Sequence, residues 1–238
     1  MFRVMKEEKM AENQLSQKEL NKVVFSRILM IIPGFTIIFF LPAGTFNYWQ
    51  AWIYLAILLI PMMFVMRYFL KNNPKFLERR MRMREKESAQ KKIIKFSTVF
   101  FLLAFILPGF DKRWGWSSVP LVVIIIADML VFLSYLFIIR VFRENSFASR
   151  IIEVEKEQKV ISTGPYAIVR HPMYTGVVVM YSVSPLALGS WWAMIPAIMI
   201  IPVLGARILN EEKVLSKGLP GYTEYIQKVH WRLLPGIW

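Results

Sequence analysis

No cysteine occurs among the 238 residues. This excludes disulfides, a thiolate zinc site and a cysteine nucleophile, and it leaves the redox compartment unread. Acidic residues are few: 16 Asp and Glu stand against 30 Lys and Arg, for a formal net charge of +14. No G-x-G-x-x-G follows a predicted strand, so the soluble dinucleotide-binding fold is not in play. The amino-terminal stretch MKEEKMAENQLSQKELNK mixes acids and bases. No short apolar run with a small-residue cleavage site follows it, so no cleavable signal peptide is expected. No repeat of three-helix halves is visible, which argues against a transporter.

What the chain has instead is apolar surface. It is 56% hydrophobic and 15% aromatic, whereas soluble domains run nearer ~45–50% apolar even with glycine counted. Six apolar stretches are predicted as helices, at about Val23–Pro42, Tyr48–Leu70, Ile93–Phe110, Ser118–Ile139, Pro172–Leu188 and Trp191–Leu209. Each approaches the ~20 residues needed to cross ~30 Å of hydrocarbon, and the fifth is the shortest. Trp49, Trp52, Trp114, Trp116, Trp191 and Trp192 sit near stretch ends, as an aromatic belt would.

Bases alternate in the same way. The connections at 43–47, 111–117 and 189–190 hold only Lys112 and Arg113, while 67–95, 140–170 and both termini hold most of the rest. Under the positive-inside rule this predicts an all-α, polytopic membrane protein of about six spans with both termini cytoplasmic. It also removes the nucleic-acid reading, because the bases line one membrane face and are not gathered into one domain. The expected partners are membrane lipids, with no obligate protein partner.

Two basic-side segments are long. KNNPKFLERRMRMREKESAQKK (71–92) reads as a helix resting on anionic headgroups, either a solvated topology-setting charge run or a substrate gate. SRIIEVEKEQKVISTGPY (149–166) alternates Ile152 and Val154 with Glu153 and Glu155, and with its Gly164-Pro165 turn it reads as an extended segment or small hairpin. It runs into STGPYAIVRHPMYTG (162–176), where His171-Pro172 opens the fifth stretch. Proline suits the first helical turn, and the remaining first-turn amides can hold an anionic or hydrogen-bonding group. Arg170, Tyr166 and Tyr174 surround that start, which is also compatible with an ordinary interfacial cluster. Arg207 and Glu211, four apart on the sixth stretch, share a helix face, and a tight Gly189-Ser190 link makes the last two helices antiparallel neighbours, so the two clusters should meet. Asp128 within the fourth stretch is either a functional acid or the partner of a polar neighbour. Prolines 185, 196 and 202 could splay the last two helices and admit a lipid sideways from the cytoplasmic leaflet.

GPYAIVRHPMYTG, Arg207 with EEKVLSKGLPGYTEY (211–225), and RLLPG together resemble the isoprenylcysteine carboxyl methyltransferase and phospholipid methyltransferase superfamily over about 140–238. NPKFLERRMRMREKE looks like bacterial members. The resemblance implies one membrane domain over 1–238, with N-terminal spans and the basic segment in 1–140 and an S-adenosylmethionine-binding core in 141–238. The cofactor would bind at the cytoplasmic face, against Gln158, Lys159, Val160 and Ile161 largely through backbone, although the family often has His where Gln158 stands. Tyr166, His171, Pro172, Met173 and Tyr174 would also line its site. Glu211 would bind the cofactor, with Glu212 its substitute if the register is off by one, and Arg207 would face the substrate. No metal is required. The implied reaction is methyl transfer to a lipidic or isoprenylcysteine-like carboxylate. Ethanolamine-headgroup N-methylation and a sterol-reductase-like activity with a nicotinamide cofactor are the alternatives.

Overall fold

The computed structural model describes residues 16–81, 88–155 and 157–238, with the side chains of residues 88 and 89 set aside. Most of the amino-terminal charged stretch, and the middle of the 71–92 segment, therefore lie outside the described residues. The described residues form eight α-helices: α1 Gln17–Ala43, α2 Trp49–Asn72, α3 Pro74–Met81, α4 Ser88–Trp114, α5 Leu121–Glu144, α6 Pro172–Ala187, α7 Met194–Gly218 and α8 Tyr222–Lys228. A 3-10 turn, Gly164–Ala167, precedes α6. No strand occurs among the described residues. The described residues of 149–166 form no strand and no hairpin: they are irregular, with a turn where the Gln158 amide donates to the Glu155 carbonyl at 3.0 Å, and they end in the 3-10 turn.

Local chemistry sets the helix ends. Ser16 and Glu19 form a reciprocal capping box at the start of α1, and Gly44 in the left-handed conformation (φ 65°) ends it. Asn73 accepts from the Phe76 amide at 3.2 Å and so caps α3, whose first residue is Pro74. Pro33, Pro61, Pro185 and Pro202 all sit inside helices. α7 runs two turns past its apolar stretch, and that extension carries Glu211, Glu212 and Leu215.

Among the described residues five helices are long and apolar enough to cross a bilayer: α1, α2, α4 from Gln90, α5 and α7. Between 17% and 28% of each apolar window is buried in the protein, so most of their side chains face outward. Phe25, Leu41, Phe64 and Val122 are each more than 60% exposed, which suits hydrocarbon and would be untenable in water.

α6 is different. Its 16 residues measure about 24 Å at ~1.5 Å per residue, short of ~30 Å of hydrocarbon. Yet it still runs from one end of the bundle to the other. Its far end meets the short-loop end, where Tyr48 Oη donates to the Leu188 carbonyl at 2.5 Å and Ser190 Oγ donates to Asp111 Oδ2 at 2.5 Å. Among the described residues six helices therefore run between the two ends of the bundle, and five of them have spanning length. No residue of α6 is exposed. It packs chiefly on α5 and α7, with α2 and α4 behind it. The approach to α5 is close: a Cβ at Gly176 would come within 2.7 Å of Ile138 Cγ1. Small residues permit such helix contacts in a membrane, where no hydrophobic drive presses helices together.

Candidate active site

At the other end of the bundle, the 145–161 segment, the 3-10 turn, the start of α6, the extension of α7 and α8 enclose a cleft. Its volume is about 100 Å³. Gln158, Lys159, Val160 and Ile161 form one wall; Tyr166, His171, Met173 and Tyr174 form the floor; Arg207 and Glu211 close the far side. Pro172, the first residue of α6, is buried and is not part of the lining.

Arg207 and Glu211 are joined through a hydroxyl. Arg207 Nε donates to Tyr174 Oη at 2.8 Å, and Tyr174 Oη donates to Glu211 Oε2 at 2.8 Å. The bridge puts a cation and an anion on opposite sides of one buried phenol. Arg207 is further fixed by Gln90 Oε1 at 3.1 Å and by the Arg150 carbonyl at 2.9 Å. Gln90 itself is fully buried and returns a bond from Nε2 to the Arg207 carbonyl at 3.3 Å. Sequence reading missed it, since Gln90 looks like one more polar residue in a charge run. Its signal was its position at the first turn of an apolar helix.

Glu212 points the other way. Successive helical side chains diverge by about 100°, so Glu211 faces the cleft while Glu212 turns beneath it. Glu212 Oε1 takes Arg170 Nε at 2.7 Å and lies 3.3 Å from His171 Nε2, and Oε2 takes Arg232 Nε at 2.9 Å. The C-terminal strap completes this node. The Arg170 and His171 amides donate to the Trp231 and Arg232 carbonyls at 2.8 and 2.9 Å, and Arg170 Nη1 donates to the Val229 carbonyl at 3.1 Å. Of the two neighbouring acids, Glu211 lines the cleft and Glu212 is held by Arg170 and Arg232. Arg232 was legible only as the first letter of RLLPG.

The wall is clamped by α3. Arg79 grips both Glu155 oxygens, with contacts from 2.7 to 3.0 Å, and reaches the Ser146 carbonyl at 3.0 Å. Arg80 Nη1 donates to the Ser149 carbonyl at 3.1 Å. The described part of the basic segment is thus neither a free charge run nor a bare gate but a brace for the cleft wall. Burial, foremost, pulls the Arg80 pKa down to about 10; the positive Arg150 and Arg207 add to that, and Tyr174 and Tyr166 oppose it. Arg80 remains a cation at neutral pH. Burial also pushes Tyr166 up to about 12, against the hydrogen bond from Asn145 Nδ2 at 3.1 Å, so its hydroxyl stays neutral.

Two expectations are revised. Asp128 is buried in the α5 core beside Ala127 and Val131, outside the cleft, and its Oδ1 has no partner among the described residues. The α6–α7 seam is packed, not splayed: Tyr174, Ile200, Leu204, Ile208 and Leu233 fill it, and the Trp238 ring lies 3.7 Å from where a Cβ at Gly205 would stand.

No curated protein matches the chain. Residues 122–220 match the family model described as phospholipid methyltransferase, a stretch that holds α5, α6, α7 and most of the cleft but stops short of α8 and the strap. The match is consistent with the isoprenylcysteine and phospholipid methyltransferase superfamily, and the apolar helices support an integral membrane protein.

Proposed function

We propose that the protein transfers a methyl group from S-adenosylmethionine to a lipidic or isoprenylcysteine-like carboxylate at the cytoplasmic membrane face. The observation that carries this reading is the Arg207–Tyr174–Glu211 bridge on the cleft wall. The donor set fits the cofactor. Glu211 uses one oxygen on Tyr174, and its other oxygen has no partner among the described residues, which leaves an acceptor for a cationic group. When bound, S-adenosylmethionine supplies an electrophilic methyl carbon on a positively charged sulfur.

The chain's own residues then have separable tasks. Glu211 holds the cofactor's cationic end. Arg207, anchored by Gln90 and Tyr174, places a fixed positive charge at the cleft to attract an acceptor carboxylate. Tyr174 keeps the two at a set distance, so the reactants meet in line rather than by diffusion. The 145–161 wall, held by Arg79 and Arg80, excludes water. A carboxylate acceptor is already ionised near neutral pH, so no side chain needs to remove a proton. His171, engaged with Glu212, is accordingly a positioning residue. The family description favours a second reading, N-methylation of an ethanolamine headgroup; an amine acceptor would need a base.

Calorimetric titration of the purified protein with S-adenosylmethionine and with NADPH tests the proposal. Binding of S-adenosylmethionine alone supports it, and binding of NADPH alone favours the reductase alternative and defeats it. The bases at the cleft end support an orientation with both termini cytoplasmic; a reporter fused after Trp238 that reads outside the cell would overturn it.

A further inference from the structure

Arg79 and Arg80 are neighbours on α3 with opposite fates. Arg79 is neutralised by Glu155. Arg80 meets only neutral groups: the Ser149 carbonyl at 3.1 Å, Met173 Sδ at 3.8 Å, and the Phe142 ring, whose centroid is 4.7 Å from its guanidinium carbon. Among the described residues no carboxylate pairs with it. Both polar contacts use Nη1. The Nε–Nη2 edge, the side of the guanidinium fork that takes a planar oxyanion with two parallel bonds, has no partner among the described residues.

The setting favours an anion. Arg207 holds the Arg150 carbonyl at 2.9 Å, the next carbonyl along from the one Arg80 holds. The two guanidiniums thus bracket one short piece of cleft wall. Arg27 of α1 donates from Nη1 to Met81 Sδ at 3.1 Å, beside Arg80. A cation taken out of water among neutral partners is costly unless an anion joins it, and a solvated position was open to a residue on a surface helix. Met173 is shared: it lines the cleft and touches Arg80. The Arg80 guanidinium thus stands next to a residue of the cleft floor.

We propose that the open edge of Arg80, with Arg27 behind it and Arg207 across the 149–150 backbone, is an oxyanion seat for the head group of the acceptor, a carboxylate or phosphate monoester carried on a long apolar tail. Its role as an acceptor site rests on the methyl-transfer reading; its capacity to bind an oxyanion does not. It makes α3 a specificity element, and it predicts that a neutral head group of equal tail length is disfavoured.

The test uses the full chain in a nonionic detergent and three C12 probes: dodecanoate, dodecyl phosphate and dodecanol. Binding is measured for wild type, Arg80→Gln and Arg80→Lys. In Arg80→Gln the favoured oxyanion should bind about tenfold to a hundredfold more weakly, the loss of one charged hydrogen-bonded contact. Arg80→Lys should fall between, because it keeps the charge without the fork. Dodecanol and S-adenosylmethionine should bind all three proteins alike. Loss confined to dodecanoate identifies a carboxylate head, and loss confined to dodecyl phosphate a phosphate head. Unchanged binding of both oxyanions by Arg80→Gln overturns the proposal. An equal loss for dodecanol and S-adenosylmethionine also overturns it, since Arg80 would then be only a brace for Ser149. Failure of the methyl-transfer reading shows separately, as a wild-type protein that binds no S-adenosylmethionine while its oxyanion preference persists.

Discussion

Each end of the bundle buries a carboxylate, and the two are handled differently. At the short-loop end Asp111, 1% exposed, takes the Ser117 amide at 2.7 Å and the hydroxyls of Ser117 and Ser190. All its donors are neutral, and they tie two connections to the end of α4. At the cleft end Glu212, 7% exposed, takes two arginines and faces a histidine. A neutral knot needs no further chemistry, whereas a cationic one brings positive charge to the cleft, where Glu211, Glu212 and Glu153 offset part of it and a bound anion can offset more. The contrast separates architecture from function: both ends are tightly hydrogen-bonded, but only one presents charge to a cavity.

The sharpest break of this comparison is Glu212→Gln. It strands Arg170 and Arg232 in a buried site, and losing one member of such a node costs about 3–5 kcal/mol. Thermal unfolding in detergent should show a large drop. Asp111→Asn leaves neutral donors with a neutral acceptor and should cost about 1–3 kcal/mol. Equal losses at the two ends would mean that the charge of the partners is immaterial.

Next in size is Glu211→Ala. Loss of a charged contact, about 1.5–3 kcal/mol, should weaken S-adenosylmethionine binding roughly ten- to hundredfold while the unfolding midpoint hardly moves. Arg207→Ala should leave cofactor affinity near wild type and impair acceptor turnover. Calorimetry and a methyl-transfer assay read the two separately, and a pair of normal variants would dissolve the assignment. The neighbouring acids would then differ in nothing but packing.

Smaller still is His171→Gln. Glutamine keeps a donor for Glu212 and has no acid–base function, so near-normal activity is expected across neutral pH. Loss that higher pH restores would instead point to an amine acceptor and a histidine base. The smallest effect is expected far from the cleft: Ser16→Ala removes the α1 cap and should cost about 1 kcal/mol in unfolding, with no change in cofactor affinity.

Helix existence was legible because apolar runs of membrane length have few alternatives. Ends were less so. The apolar signal of the last long helix fades near Leu209, while the helix continues to Gly218 on residues that are good helix formers but charged. The site was legible where it is local in sequence, from Gln158 to Tyr174 and from Arg207 to Glu211. It was not legible where distant segments supply a single contact. Gln90, Arg80 and Arg232 reach the cleft or its supports from 117, 69 and 20 residues away in their contacts with Arg207, Ser149 and Glu212. No period or spacing in the sequence encodes those approaches. The Asp128 ambiguity had the same source, since one acid in an apolar run carries no mark of what faces it.

α6 has one more consequence, for biogenesis. None of its residues is fully exposed, and little about it is matched to lipid: it is short, holds Ser182, Ser184 and Pro185, and is bounded by Arg170-His171 and Ser190. Insertion machinery judges a segment by its own free energy in hydrocarbon, where polar residues and short length count against it. The five long helices can be admitted one at a time, but α6 gains its stability from α5 and α7. It should therefore enter the bilayer as part of a helical hairpin, late and dependent on its neighbours, and the cleft it opens would form only once that hairpin has closed.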